Sequence, residues 1–218
     1  MDVAIVTGSS RGIGRSTAIK LSKNYFVVVN YLRNENKALD TVALIEKMGG
    51  KGIAVKGDVS KYEDAKNIIK TAADYGEIRV LVNNAGVYKV SPFSRMMPSE
   101  WERIVEVNFY GVMNMTHAVL DYMERGVIVN ISSVIGLHPM ANAAPYCASK
   151  SAVIAFTKAV AQELAPKIKV LCVAPGPTDT DMLRKYHGSM FADPPDKVAD
   201  YILNAIERGK PGDCINVR

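Results

Sequence analysis

The chain predicts an α/β protein: a doubly wound parallel sheet of about seven strands with helices on both faces. Three observations lead there. Short β-branched, apolar runs recur along the chain and read as buried strands. Helix-like stretches separate them, and that alternation argues for right-handed βαβ units. The first strand runs directly into a glycine turn that opens a helix.

The elements follow in order. Residues 3–6 form a first strand, and 11–23 a helix. Strand 26–29 precedes helix 35–48, strand 53–55 precedes helix 61–75, and strand 80–82 precedes a long helix over 100–123. Strand 127–131, helix 144–164 and strand 170–173 complete the regular part. Ile215 and Val217 suit a short last strand. Proline punctuates the chain after Ala174, where the pattern is least regular. No repeat, linker or charge block interrupts it, so residues 1–218 read as a single domain.

Composition narrows the function classes. Hydrophobic residues make up 48% of the chain, enough for one core at 218 residues. The net charge of +5 is scattered, with no basic stripe, which argues against nucleic acid. Aromatic content is low and dispersed, so stacking platforms for single strands are not expected either. No apolar run is long enough to span a bilayer, and Met1-Asp2-Val3 does not read as a signal peptide. Cys147, Cys172 and Cys214 fit neither a disulfide framework nor a zinc site, and a cytoplasmic location is expected. His117, His138 and His187 add no ligand spacing, so no metal is expected.

Two motifs carry chemistry. Thr7-Gly8-Ser9-Ser10-Arg11-Gly12-Ile13-Gly14 joins the first strand to the first helix. Glycines there allow a tight turn and close backbone approach, and the helix end offers free N–H groups to a phosphate. The spacing differs from the usual G-x-G-x-x-G fingerprint. Tyr146 and Lys150 stand four apart in a helical stretch, on one face. A positive charge beside a phenol lowers its pKa from about 10 and makes it an acid-base group. Each motif alone has a plainer reading, an ordinary turn or a surface helix.

Taken together they resemble the short-chain dehydrogenase/reductase family. Asn83-Asn84-Ala85-Gly86 ends the fourth strand, Asn108 follows Val107, Ile131-Ser132-Ser133 closes the fifth strand, and Pro175-Gly176 follows the sixth. These occur in the family's order over nearly the whole chain. The closest match in motif is to 3-oxoacyl-[acyl-carrier-protein] reductases and broad carbonyl reductases.

The resemblance implies a Rossmann-type fold and a catalytic group of Asn108, Ser133, Tyr146 and Lys150. Tyr146 would pass the proton, Ser133 would hold the substrate oxygen, Lys150 would support Tyr146 and the nicotinamide ribose, and Asn108 would hold a proton-relay water. Ser133 is preferred to Ser132 by its offset to Tyr146. Taken singly, Ser133 is a strand end, Asn108 a buried amide and Lys150 a surface lysine. Cofactor contacts are expected from Gly8, Ser10, Arg11, Gly12, Ile13 and Gly14, then Tyr31 and Arg33. Asp58 and Val59 would border the adenine, and Asn84, Ala85 and Gly86 the fourth-strand end. Tyr146, Lys150, Pro175, Gly176, Thr178 and Thr180 would line the nicotinamide end. Neutral Tyr31 stands where an NAD-selective member has a carboxylate, and Arg33 and Arg11 are near. NADP(H) is therefore favoured, with NAD(H) an alternative.

The expected reaction interconverts a carbonyl and a secondary alcohol. The substrate is a small carbonyl or alcohol, with a 3-oxoacyl thioester as one candidate and a small ketone, alcohol or sugar as another. A cofactor-binding sensor without turnover is the reading from a different class, disfavoured because Tyr146 and Lys150 are both present. Residues 181–195, with Met182, Leu183, Tyr186, Met190 and Phe191, form a short apolar lid. Lys167 and Lys169 are candidates for a basic docking patch at the site mouth. Cys147 reads as a packed side chain. A homo-oligomer, dimer or tetramer, is expected through helices 100–123 and 144–164. The chain ends without the family's glycine-rich tail, which leaves the choice between them open.

Overall fold

The computed structural model describes residues 1–188 and 191–217. Met190, expected in the lid, lies outside the described residues. The strands are β1 (Val3–Val6), β2 (Phe26–Tyr31), β3 (Lys51–Lys56), β4 (Ile78–Asn83), β5 (Gly126–Ile131), β6 (Ile168–Pro175) and β7 (Cys214–Val217). All pair in parallel, in one sheet ordered β3-β2-β1-β4-β5-β6-β7.

Both faces of this sheet are covered. Along β1, Val3 and Ile5 point into one apolar cluster with Ile68, Ile69, Met115 and Val119. Ala4 and Val6 point the other way, to Ala18, Leu21, Val198 and Ile202. All four β1 side chains are fully buried. That explains why the strands read as unbroken apolar runs rather than alternating ones. Each buried Val or Ile contributes about 1.5–3 kcal/mol over exposure, so the central strands anchor the fold.

The helices are α1 (Gly12–Leu21), α2 (Glu35–Lys47), α3 (Tyr62–Ala73), α4 (Pro98–Val105), α5 (Gly111–Val119), α6 (Val134–Leu137), α7 (Ala144–Leu164), α8 (Asp181–His187) and α9 (Pro195–Arg208). Two differ from expectation. The long helix over 100–123 is split into α4 and α5 by a π-helical turn, Glu106–Tyr110, and α5 stops at Val119. The residues after it form the loop into β5, so the join at Met123-Glu124-Arg125-Gly126 is not as tight as it reads. Helix α9 was missed because prolines dominate the region. Its signal was present: Pro195 in the first turn, then buried Val198, Ile202 and Ala205 at helical spacing.

The strand order reverses between β1 and β4, which opens a crevice at their carboxyl ends. The loops leaving these strands meet there. Gly8 has φ +61, and a Cβ on it would lie 2.9 Å from Ala85 Cα, so glycine alone fits.

Candidate active site

A cavity of about 730 Å³ runs along the carboxyl edge of the sheet. Every residue expected to contact cofactor lines it except Gly14, and so does Ser133. Gly14 is turned away, packed against the Gly8 carbonyl and the Asn84 amide.

Side chains outside the wall hold the glycine turn in place. The Asn30 amide carbonyl accepts from Gly8 N at 3.2 Å, and its NH2 donates to Gly57 O at 3.2 Å, tying β1 to the loop after β3. Thr7 Oγ1 accepts from Asn84 N and Ala85 N, at 2.9 and 3.0 Å. The Asn84 side chain donates back to Thr7 O and Gly8 O, at 2.8 and 3.2 Å. Asn84 thus shapes the turn in addition to lining the cavity. Sequence reasoning missed Asn30 and Thr7, and nothing local marked them.

At the carboxyl end of β2, Tyr31 lines the cavity although its side chain is largely buried. Its ring is 7% exposed and packs in the apolar cluster with Ala38 and Ile45. The exposed cavity rim here belongs to Leu32 and Arg33. Burial would raise the Asp58 carboxyl, but hydrogen bonds from Ser60 and Arg103 outweigh it and hold it below the usual range. Arg103 Nη2 lies 2.9 Å from Asp58 Oδ2, and Arg103 also lines the cavity.

At the other end, α7 carries Tyr146 and Lys150 on one face, as the spacing predicts. Ser133 lines the same cavity as Tyr146, and its hydroxyl donates to Pro175 O at 3.5 Å. Ser132 does different work: its buried hydroxyl donates to the Lys150 carbonyl at 2.8 Å. Burial pushes the Tyr146 phenol well above its ordinary value, and the nearby Ser133 hydroxyl offsets only part of that. Lys150 was expected to lower it. Instead Nζ donates to Ile131 O at 2.7 Å, lies 5.7 Å from the Tyr146 ring centre, and is itself lowered to about 8 by burial. Tyr88 stands edge-on to Tyr146, with ring centres 4.6 Å apart, and bonds through its hydroxyl to His187 at 3.0 Å.

Asn108 is placed differently from the other three. It sits fully buried in the π turn and does not line the cavity. Its amide accepts from Val87 N at 2.8 Å and donates to Val87 O at 3.0 Å and Ser149 Oγ at 3.2 Å. Its side chain therefore positions the loop after β4 against α7. A π turn inside a helix commonly marks such a site.

Thr180 and Thr178 sit in the loop after β6. Thr180 caps α8, accepting from Leu183 N at 3.3 Å, and Thr178 is buried with its hydroxyl on Gly176 O. Lys167 and Lys169 fall at the amino end of β6, the edge opposite the cavity, so they cannot rim its mouth. Lys169 Nζ is held by Ile206 O at 2.7 Å. Cys147 is 4% exposed, packed beside Met140. Among the described residues no helix is long and apolar enough to cross a membrane, and no three His, Cys, Asp or Glu side chains converge as a metal site.

The comparisons with known proteins agree with this geometry. A family profile described as short chain dehydrogenase matches residues 2–189. The 3-oxoacyl-[acyl-carrier-protein] reductase of Synechocystis is 42% identical over 186 residues, covering 83% of this chain and 75% of that protein. The acetoacetyl-CoA reductase of Shinella zoogloeoides is 43% identical over 189 residues, covering 84% and 76%. A short chain dehydrogenase from Burkholderia cenocepacia, solved in complex with NADP, superposes with a TM-score of 0.92 at 29% identity, over 98% of this chain and 95% of that one. With the glycine turn, the parallel sheet and the Ser133–Tyr146–Lys150 cluster in place, the chain belongs to the short-chain dehydrogenase/reductase family of oxidoreductases acting on carbonyl and alcohol groups.

Proposed function

We propose that this chain is an NADP(H)-dependent carbonyl reductase with Tyr146 as its acid-base group, and that its substrate is a 3-oxoacyl thioester. The observation that carries the reading is that Ser133, Tyr146 and Lys150 line one cavity that begins at the glycine turn, with Tyr146 and Lys150 one turn apart on α7.

The residues present fit a dinucleotide. Gly8 and Gly12, both at positive φ, leave room for close backbone approach to a pyrophosphate. Arg11 and Arg33 line the cavity at the ribose end, where a carboxylate would oppose a 2′-phosphate. The nicotinamide, when bound, supplies or accepts the hydride. The chain's own groups manage charge and proton. A phenol held above its ordinary value is protonated at neutral pH, the form that reduction needs. As negative charge builds on the substrate oxygen, the Tyr146 hydroxyl delivers its proton there and Ser133 donates a hydrogen bond. Lys150, still largely cationic at neutral pH, stabilises the phenolate left behind. The reverse reaction uses Tyr146 as base.

The thioester reading is supported by the names of both relatives, each a reductase of a 3-oxoacyl thioester. The NADP reading is supported by the complexed neighbour and by the two arginines. A cytoplasmic homo-oligomer is part of the proposal. Exposed Tyr110, next to Phe109 and Phe156 packed edge-on, offers an apolar face on the π turn and α7.

The test follows NADPH and NADH oxidation with an acetoacetyl thioester, a diketone, an activated aryl ketone and an aldose, on native protein and Tyr146→Phe. The expected result is thioester reduction that prefers NADPH and disappears in the variant. Turnover that survives in Tyr146→Phe, or that prefers an aldose, overturns the proposal.

A further inference from the structure

Arg11 and Lys37 come from different elements, yet both converge on one carboxylate oxygen. Arg11 Nη1 lies 3.1 Å and Lys37 Nζ 3.3 Å from Asp181 Oδ2. Arg11 precedes α1, Lys37 sits in the first turn of α2, and Asp181 opens α8. Arg11, Arg33 and Asp181 all line the cavity at this end. The neighbouring residues approach as closely: a Cβ on Gly12 would lie 3.1 Å from the Thr180 methyl. The start of α8 therefore lies directly over the glycine turn.

We propose that Asp181 is an internal anion that competes with the cofactor's 2′-phosphate for Arg11 and Lys37, and so sets the degree of discrimination between NADPH and NADH. The inference rests on the NADP(H) reading above. The physical reason is local charge balance. A phosphate dianion arriving at these cations must displace the carboxylate or be repelled by it. A cofactor with a plain 2′-hydroxyl makes no such demand. Lys37, which no sequence motif marked, becomes a specificity residue, and Asp181 opposes it.

The competition is transmitted along α8. This helix has a second anchor at its other end, where His187 bonds to Tyr88 and Tyr88 stands edge-on to Tyr146. Seven residues of helix span about 10 Å. Between these anchors, Arg184 is paired with Asp179 and Thr180 caps the helix start.

The test is calorimetric binding to the full chain, with ADP-ribose and 2′-phospho-ADP-ribose as probes. Native protein, Asp181→Asn and Lys37→Ala are compared. Native protein is expected to bind the 2′-phosphorylated probe more tightly. Asp181→Asn removes the competing charge but keeps the shape, and should tighten the 2′-phosphorylated probe about 1.5- to fivefold, as for exposed ion pairs, without changing ADP-ribose. Lys37→Ala should erode the difference between probes. If native protein does not distinguish the probes, the NADP(H) reading falls and this inference with it. If it distinguishes them but Asp181→Asn leaves the ratio unchanged or lowers it, only the internal-competitor inference is overturned.

Discussion

Lys150 Nζ donates a buried hydrogen bond to the carbonyl oxygen of Ile131, at 2.7 Å. It joins the second turn of α7 to the end of β5, two residues before Ser133. The bond keeps the ammonium satisfied while burial lowers it to about 8. The folded-state value thus lies below the unfolded one, about 10.4. Below pH 8 both states carry the charge, and the fold bears its full burial cost. As pH rises from 8 toward 10.4 the unfolded state binds more protons than the folded one, so stability rises. Lys150→Met removes this dependence. The melting temperature of the variant relative to native protein should be highest near pH 7 and decline steadily by pH 10. Thermal unfolding at four pH values checks this, and a difference that does not vary with pH contradicts it.

Ser132 and Ser133 are chain neighbours with separate work. Ser133→Ala removes the hydroxyl that stands beside the Tyr146 phenol on the cavity wall. It should lower kcat by about 10²–10³ with little change in stability. Ser132→Ala removes the hydroxyl bond to the Lys150 carbonyl, which keeps its helical partner, and should cost about 0.5–1.5 kcal/mol of stability, with a smaller loss of rate. Steady-state kinetics beside urea unfolding separates the two. The opposite pattern would exchange their roles.

A buried polar ladder lies beneath the site. Asn83 Nδ2 reaches Thr116 Oγ1 at 3.1 Å and Asn130 Oδ1 at 2.8 Å, and Asn130 Nδ2 reaches Thr157 Oγ1 at 2.9 Å. It ties β4 and β5 to α5 and α7. Asn130→Ala removes one of two bonds from the Asn83 amide and from the Thr157 hydroxyl and opens buried space, so a loss of about 2–4 kcal/mol is expected in urea unfolding. A loss under 1 kcal/mol would mean that water or a neighbour replaces the amide.

Cys172 and Cys214 face each other across β6 and β7. The neighbouring Cys172 thiol lowers the half-buried Cys214 thiol to about 7, while Cys172 is pushed up. Iodoacetamide should therefore label Cys214 first, with a rate that rises through about pH 7 as the thiolate forms. Cys172→Ser should keep some of this effect, and Cys172→Ala should move the midpoint up toward the ordinary thiol range. Peptide mass spectrometry across pH reads both. Equal labelling of Cys172 would show that its burial is not protective.

The sequence by itself determined the parallel α/β sheet, its seven strands, the glycine turn and the one-face pairing of Tyr146 with Lys150. These depend on local order: apolar runs that suit strands buried on both faces, and four-residue spacing on a helix. It did not show α9, whose helical spacing was hidden among prolines, nor the π turn that places Asn108 behind Val87. Tertiary structure alone decided that Ser132 reaches the Lys150 carbonyl and that the Lys150 ammonium reaches Ile131 O. It alone brought Asp181 to Arg11 and Lys37, across separations of 170 and 144 residues. Such contacts follow from strand order. β1 and β4 lie side by side with their loops on one edge, so residues far apart in the chain share a cavity that no local pattern records.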